Sequence, residues 1–269
     1  MQILNLIRPE KSDINYNIIT FPDGEPQISL ENIDRKSEVI IICRITNPSD
    51  LFILLQVVDI LKRHGVLFSL YIYYLMSMRM DRVISFDKPY SLAIIANIIN
   101  GLGAKLVQVL EPHSGKVQEL IKDYWGSIDM PFPNFSEYIP VFPDAGAVDR
   151  YNYLGEYSII CSKVISLETG KLKSFAIENP DLLEKKELAD RPLVIIDDLC
   201  DAGGTFVGIA NKIREINPSR KLAVYVTHMV NPKGITALSE HFDEVYFTNS
   251  YFNWESIEVP SNVTVINIV

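Results

Sequence analysis

Short, unbroken apolar runs recur along this chain, and between them lie stretches of helical periodicity. In the first half "EVIIICR" (38–44) and "VLFSLYIYY" (66–74) enclose a helical pattern from Ser49 to His64; a second pattern, from Tyr90 to Gly101, leads to "KLVQVL" (105–110). A strand that is apolar at nearly every position is buried on both faces, and such strands separated by helices form a parallel sheet covered on both sides. The chain is therefore expected to be α/β. A stretch rich in proline and turn formers, "GSIDMPFPNFSEYIPVFPDAG" (126–146), interrupts the alternation. It then resumes with "YIPVFP" (138–143), "YSIICSK" (157–163), "PLVIIDD" (192–198), a helix over 204–216, "KLAVYVTH" (221–228), a short helix near 233–241, "EVYFTNS" (244–250) and "VTVINIV" (263–269). The halves read as two similar doubly wound domains, 1–135 and 136–269, and the charged "LLEKKELADR" (182–191) reads as a solvated charged surface or a mobile segment.

Composition narrows the possible functions. With 269 residues and 48% hydrophobic content the chain can bury a substantial core. A formal net charge of −9 argues against a nucleic-acid-binding surface, which needs excess Lys and Arg to displace counterions. Cys43, Cys161 and Cys200 are odd in number and widely spaced, so neither a disulfide framework nor a zinc site is indicated and a reducing cytoplasm fits. The opening "MQILNLIRPEKSD" does not read as a secretion signal. No membrane span is expected, since Asp59, Lys62, Arg63 and His64 break the most apolar long stretch. "GLGAKL" (101–106) fails the dinucleotide pattern, and no P-loop is present.

The run "VIIDDLCDAGGTF" (194–206) ends a buried strand on two adjacent carboxylates and a turn of small residues. Ligands of open parallel sheets bind beyond the carboxyl ends of the strands. There the "DAGGT" turn can wrap an anion with backbone N–H groups and the Thr205 hydroxyl, while Asp197 and Asp198 accept hydrogen bonds from vicinal hydroxyls or hold Mg²⁺ through water. A sugar phosphate satisfies both parts. The same residues also suit a plain helix cap at Asp198 or Asp201 with a tight glycine turn.

This stretch resembles the ribose-5-phosphate-binding segment shared by phosphoribosyltransferases and phosphoribosyl pyrophosphate (PRPP) synthetases. Four further segments resemble the synthetases in order and spacing over almost the whole chain: "FPDGEPQISLEN" (21–32) is similar to their F-x-D-G-E segment, "YYLMSMRMDR" (73–82) to P-Y-x-x-Y-A-R-Q-D-R, "EPHSGKVQ" (111–118) to D-L-H-S-x-Q, and "FPDAGAVDRY" (142–151) to S-P-D-A-G-G-x-x-R. Simple phosphoribosyltransferases lack the first half of this pattern.

The resemblance implies two phosphoribosyltransferase-like domains and transfer of the diphosphoryl group of Mg–ATP to the anomeric hydroxyl of ribose 5-phosphate, giving PRPP and AMP. It places Phe21 on the adenine face and Asp23 and Glu25 at its edge, at a site completed by a neighbouring subunit of a dimer or hexamer. A simple β-turn at "PDG" is the alternative for that segment. It places Arg79 and Arg82 on the ATP phosphates and His113 and Asp144 with the metal. Asp144, Asp197 and Asp198 fall to the ribose, Asp201, Ala202, Gly203, Gly204 and Thr205 to the 5-phosphate, and Lys163 to the migrating group. His228 and Asn249 occupy recurring family positions and are assigned structural roles. Several positions depart from the pattern: Met80 replaces a glutamine, Leu75 and Met76 replace the aromatic and glycine positions before it, Ile165 replaces an arginine for which Lys171 or Lys173 would have to substitute, and no C-terminal helix follows the last strand. These departures leave three alternatives open: the same chemistry on a larger 5-phosphorylated ribose such as ADP-ribose, a catalytically weak regulatory subunit, and a base-using phosphoribosyltransferase.

Overall fold

The computed structural model describes residues 1–129, 132–165, 172–185, 188 and 190–269. The chain divides into two compact units, Met1–Met130 with Val269, and Pro131–Ile268.

In the first unit β1 (Gln2–Asn5) is followed by the hairpin β2 (Asn15–Thr20) and β3 (Pro26–Glu31), then β4 (Val39–Ile45), α1 (Pro48–Arg63), β5 (Phe68–Leu75), α2 (Ser91–Leu102), β6 (Val107–Val109), α3 (Lys116–Leu120) and β7 (Tyr124–Ser127). The sheet runs β1-β4-β5-β6-β7, all parallel. Helix α1 begins where the sequence marks it. The Asn47 side chain accepts from the backbone N–H groups of Ser49 and Asp50, Pro48 takes the first helical position, and Leu51, Leu54, Val57, Val58 and Leu61 form the buried stripe. Because the chain steps in one direction from β4 to β7, right-handed crossovers set α1, α2 and α3 on one face. Their apolar residues share a core with every second residue of β4 and β5, whose alternate positions are only half-buried. The expected sealing of both faces is thus met only in part here.

In the second unit β8 (Ile139–Phe142), α4 (Ala145–Tyr151), β9 (Ile159–Ile165), β10 (Leu172–Ile177), α5 (Asp181–Glu184), β11 (Leu193–Cys200), α6 (Gly204–Ile216), β12 (Leu222–Met229), α7 (Pro232–His241), β13 (Glu244–Thr248) and β14 (Val263–Ile266) build a sheet of order β10-β9-β8-β11-β12-β13-β14. Only the β9–β10 pair is antiparallel. All eight residues of β12 are buried. On one face Ile195, Val224 and Val226 pack with Phe206, Ile209, Ile213 and Leu238 of α6 and α7. On the other, the proline-rich stretch lays Phe132 4.7 Å from the Tyr225 ring and Phe135 5.6 Å from that of Tyr246. Both faces are therefore covered, which explains the unbroken apolar runs. One expectation is corrected. Within 182–191, Leu183 and Leu188 belong to the core, so the segment is anchored rather than wholly solvated; residues 186, 187 and 189 lie outside the described residues.

The chain moves outward from β8 through β9 to β10, then returns to the other side of β8 at β11. At such a reversal the loops leaving two neighbouring parallel strands diverge and open a crevice at their carboxyl ends.

Candidate functional site

The loops that leave β8 and β11 carry the segments singled out in the sequence. Asp144 follows β8 and caps α4, accepting from the Ala147 N–H at 3.2 Å through one oxygen and from Lys163 Nζ at 3.4 Å through the other. Lys163 comes from β9, the neighbour of β8. With side chains 44% and 39% exposed, Lys163 and Asp144 form a water-screened pair of little consequence for stability. Asp197 and Asp198 lie on β11 itself.

The acidic pair is held by a residue absent from the sequence-based assignment. Arg150 Nη2 donates to Asp197 Oδ1 at 2.7 Å and to Asp198 Oδ1 at 2.8 Å, with side chains 19%, 14% and 1% exposed respectively. Burial raises the Asp197 pKa, Asp198 raises it further, and Arg150 opposes both without cancelling them. Burial also acts against the Arg150 charge, but the two aspartates outweigh it. Arg150 was visible only as the last residue of the "PDAGAVDR" run; nothing in the local sequence says that α4 turns it toward a strand 47 residues downstream.

A stability prediction follows from these charges. Because the folded-state pKa of Asp197 lies above its ordinary value of 3.8, the native state binds the proton more tightly than the unfolded chain does. The resulting stability is fully present below pH 3.8 and is lost as pH rises from there toward neutrality. Asp198, Arg150 and Asp144 are the charged groups that act on it. Asp197→Asn removes one of two negative charges shared by one cation, so it is expected to stabilise the ligand-free protein by about 1–3 kcal/mol at pH 8 and by almost nothing near pH 4. Urea unfolding at the two pH values measures this; an equal effect at both would show that charge is not the cause.

After β11 the chain turns sharply. Gly203 adopts φ +82°, which favours glycine, and a side chain there would also meet Ala237 of α7. Helix α6 then starts at Gly204, and its N-cap residue, Gly203, makes no side-chain cap hydrogen bond. Ala202 and Gly204 are exposed and Thr205 is half-buried at its entrance. Helix α7 supports the turn from behind: Asn231 Nδ2 donates to Asp201 Oδ1 at 2.9 Å, and bare Gly234 lets the Asp201 carbonyl come close. Asp201 thus serves the turn as well as facing solvent. His228 and Asn249 are fully buried; His228 Nδ1 lies 2.8 Å from Ser250 Oγ, and Asn249 Oδ1 accepts from the Ile268 N–H, as structural roles require. Burial pushes all three cysteine thiols to about 12, which removes them as nucleophiles.

In the first unit the candidates form two groups. Phe21, Asp23 and Glu25 sit on the β2–β3 turn. Gly24 N–H donates to the Phe21 carbonyl and Glu25 N–H to Asp23 Oδ1, so the turn reading of "PDG" is realised while Phe21 stays 43% exposed. Phe21 and Glu25 line a groove of about 520 Å³ against α1, and its lining contains neither Arg79, Arg82 nor His113. Those three follow β5 and β6, neighbouring parallel strands, at their carboxyl ends. Asp81, which the sequence reading did not select, links Arg82 and His113. Burial pushes its carboxyl up, but Ser114, Arg82 and the charge of His113 outweigh burial and hold it below the usual range. Arg82 Nε donates to Asp81 Oδ1 at 3.1 Å. Ser77 (φ 68°) and Glu111 (φ 35°) put two non-glycine residues with positive φ in these loops, the kind of backbone strain that collects at functional sites. Arg79 and Met80 are exposed. Lys171 lies outside the described residues.

No family model matches the sequence. The chain is 30% identical over 251 residues to a ribose-phosphate pyrophosphokinase of Ureaplasma parvum, covering 84% of this chain and 71% of that protein. It is 28% identical over 271 residues to the ribose-phosphate pyrophosphokinase of Pyrococcus abyssi, covering 95% and 88%. In three dimensions it is similar to the crystal structure of phosphoribosylpyrophosphate synthetase from Mycobacterium smegmatis, with a TM-score of 0.76 over 100% of this chain and 95% of that one at 17% identity, which speaks for the fold.

Proposed function

The chain belongs to the ribose-phosphate pyrophosphokinase family, and on that premise we propose that it transfers the β,γ-diphosphoryl group of ATP to the anomeric hydroxyl of ribose 5-phosphate, releasing AMP. The observation that carries this reading is the crevice at the β8/β11 reversal, where an acidic strand end and an uncapped helix entrance adjoin. The acidic pair suits a sugar diol, and the N–H groups of the turn suit a terminal phosphate.

Each unit has its own task. The second is the ribose-phosphate domain: Asp197 accepts from the ring hydroxyls, Asp198 supports it, and residues 201–205 enclose the 5-phosphate. Lys163 supplies a positive charge beside Asp144, suited to the oxygens of the migrating group. The first unit is the ATP-binding domain. Arg79 and Arg82 are bidentate phosphate donors, His113 acts from the loop after the neighbouring strand β6, and the exposed Phe21 ring offers an adenine-stacking surface. The Phe21 groove excludes the other ATP candidates, which favours completion of the adenine site by a second copy in a homo-oligomer.

Phosphoryl chemistry of this kind requires a divalent cation. Among the described residues no group of three His, Cys, Asp or Glu side chains is placed to hold a metal ion alone. Mg²⁺ keeps several waters and binds through one or two carboxylates plus substrate phosphates, a mode that the half-exposed Asp144 carboxylate fits. Within the second unit Asp144 would hold a cation, within the first His113 would serve the Mg–ATP phosphates, and the metal would neutralise charge between attacking and leaving oxygens. The protein's own residues align the anomeric hydroxyl with the nucleotide phosphates and hold both reactants still. No helix among the described residues is long and apolar enough to cross a membrane. The three unpaired cysteines favour a reducing cytoplasm, and the net charge of −9 disfavours a nucleic-acid partner.

The acceptor is tested by incubating the protein with Mg–ATP and either ribose 5-phosphate or ADP-ribose and following AMP. AMP formed only with ribose 5-phosphate is expected. AMP only with ADP-ribose would reassign the acceptor, no AMP despite nucleotide binding would make the chain a regulatory subunit, and consumption of PRPP with a free base would make it a transferase of the other kind.

A further inference from the structure

Two carboxylates on successive strand residues ordinarily point to opposite faces of a sheet. At the end of β11 they do not act separately, because the Asp198 N–H donates to Asp197 Oδ1 at 2.9 Å and a single nitrogen, Arg150 Nη2, meets one oxygen of each. Gly146, one helical turn before Arg150, makes this geometry available. A β-carbon at Gly146 would lie 3.4 Å from Arg150 Nη1 and 3.3 Å from Asp144 Oδ1, so the guanidinium lies back along α4 over a bare glycine, toward Asp144. Arg150 therefore joins the two carboxylates of the strand end from the side of α4 that carries Asp144. Its planar donor fork fixes direction as well as charge, which a flexible ammonium does not. Asp198 is 1% exposed, a depth at which an unpaired carboxylate charge is costly.

We propose that Arg150 is a positioning residue for the sugar hydroxyls: it gathers Asp197 and Asp198 into one arrangement aimed at the ligand and does not itself touch the ligand. The proposal rests on the ribose-phosphate reading of this strand end. Without Arg150 the pair either takes up a proton or parts, with the more exposed Asp197 swinging toward solvent, and in both cases the diol loses a preformed anionic acceptor. The phosphate-binding turn, held by Asn231 and Gly234, is left intact.

Calorimetric titration of ribose 5-phosphate and, separately, of Mg–ATP into the full chain tests this with wild type, Arg150→Gln and Arg150→Lys, each with and without added guanidinium ion. Arg150→Gln is expected to weaken ribose 5-phosphate binding by about tenfold to a hundredfold, the range for a lost charged hydrogen-bond partner, and to leave ATP affinity unchanged. Guanidinium is expected to restore most of the sugar affinity, and lysine only part of it. Wild-type sugar affinity in folded Arg150→Gln would overturn the proposal, as would an equal loss for both ligands unrelieved by guanidinium. If Arg150→Gln does not fold, Arg150→Lys decides: unchanged sugar affinity overturns the proposal, and a selective loss relieved by guanidinium supports it. Absence of any ribose 5-phosphate binding by wild type would instead overturn the ribose-phosphate reading itself, and the proposal with it.

Discussion

Gly234→Ala is expected to lower the thermal midpoint of the second unit by about 10 °C and to abolish ribose 5-phosphate binding while ATP binding persists. A β-carbon there would stand 2.2 Å from the Asp201 carbonyl oxygen and 3.0 Å from both Cys200 Sγ and Met229 Sδ. The first contact is with backbone, so no rotamer change relieves it. Either α7 retreats from the sheet or the turn moves. Overpacking of this sort costs about 1–3 kcal/mol and occasionally more, and the displaced atoms belong to the segment proposed to hold the phosphate. Gly101→Ala provides the control: nothing lies within 4 Å of a β-carbon at that exposed helical position, and its effect on the midpoint should be slight. Calorimetric melting of both variants, followed by titration with each ligand, separates the outcomes.

Lys163→Ala is expected to slow turnover by about a hundredfold to a thousandfold, the range for removing one preorganised charge from a transition state, without a measurable change in stability. The lysine is 44% exposed and its contact with Asp144 is 3.4 Å long, so little folding energy depends on it. A lysine needed for the fold would lower the midpoint, and one idle at the surface would change nothing. Steady-state rates beside a melting curve distinguish the three cases, and near-normal turnover in a folded variant would remove Lys163 from the reaction.

The long elements were legible because their signals are local. Asn47 and Pro48 announce α1, the apolar-to-acidic switch at Asp197 marks the end of β11, and α6 runs over Gly204–Ile216 as the periodicity after the glycine turn requires. The β2–β3 hairpin was not foreseen. Most residues of β2 are exposed, and without a buried face it has no alternation to read. Strand β7 escaped notice because it is four residues long at a sheet edge and contains Gly126. In the site, the acidic pair and the small-residue turn stood out through their chemistry. Arg150 and Asp81 did not: each matters through partners that the fold delivers, Arg150 through a strand 47 residues away and Asp81 through a histidine and a serine on the next loop. The supporting contact at Gly234 was invisible for the same reason.

The claim on which the account turns is that this chain moves two phosphoryl groups together onto a phosphorylated pentose. Phosphorus NMR of a single reaction mixture of Mg–ATP, ribose 5-phosphate and protein reads that directly. The α-phosphorus is expected to appear as AMP, and the β and γ signals to persist as a coupled diphosphate ester on the sugar. Formation of ADP with a sugar bisphosphate, or ATP left intact beside bound ribose 5-phosphate, would contradict it.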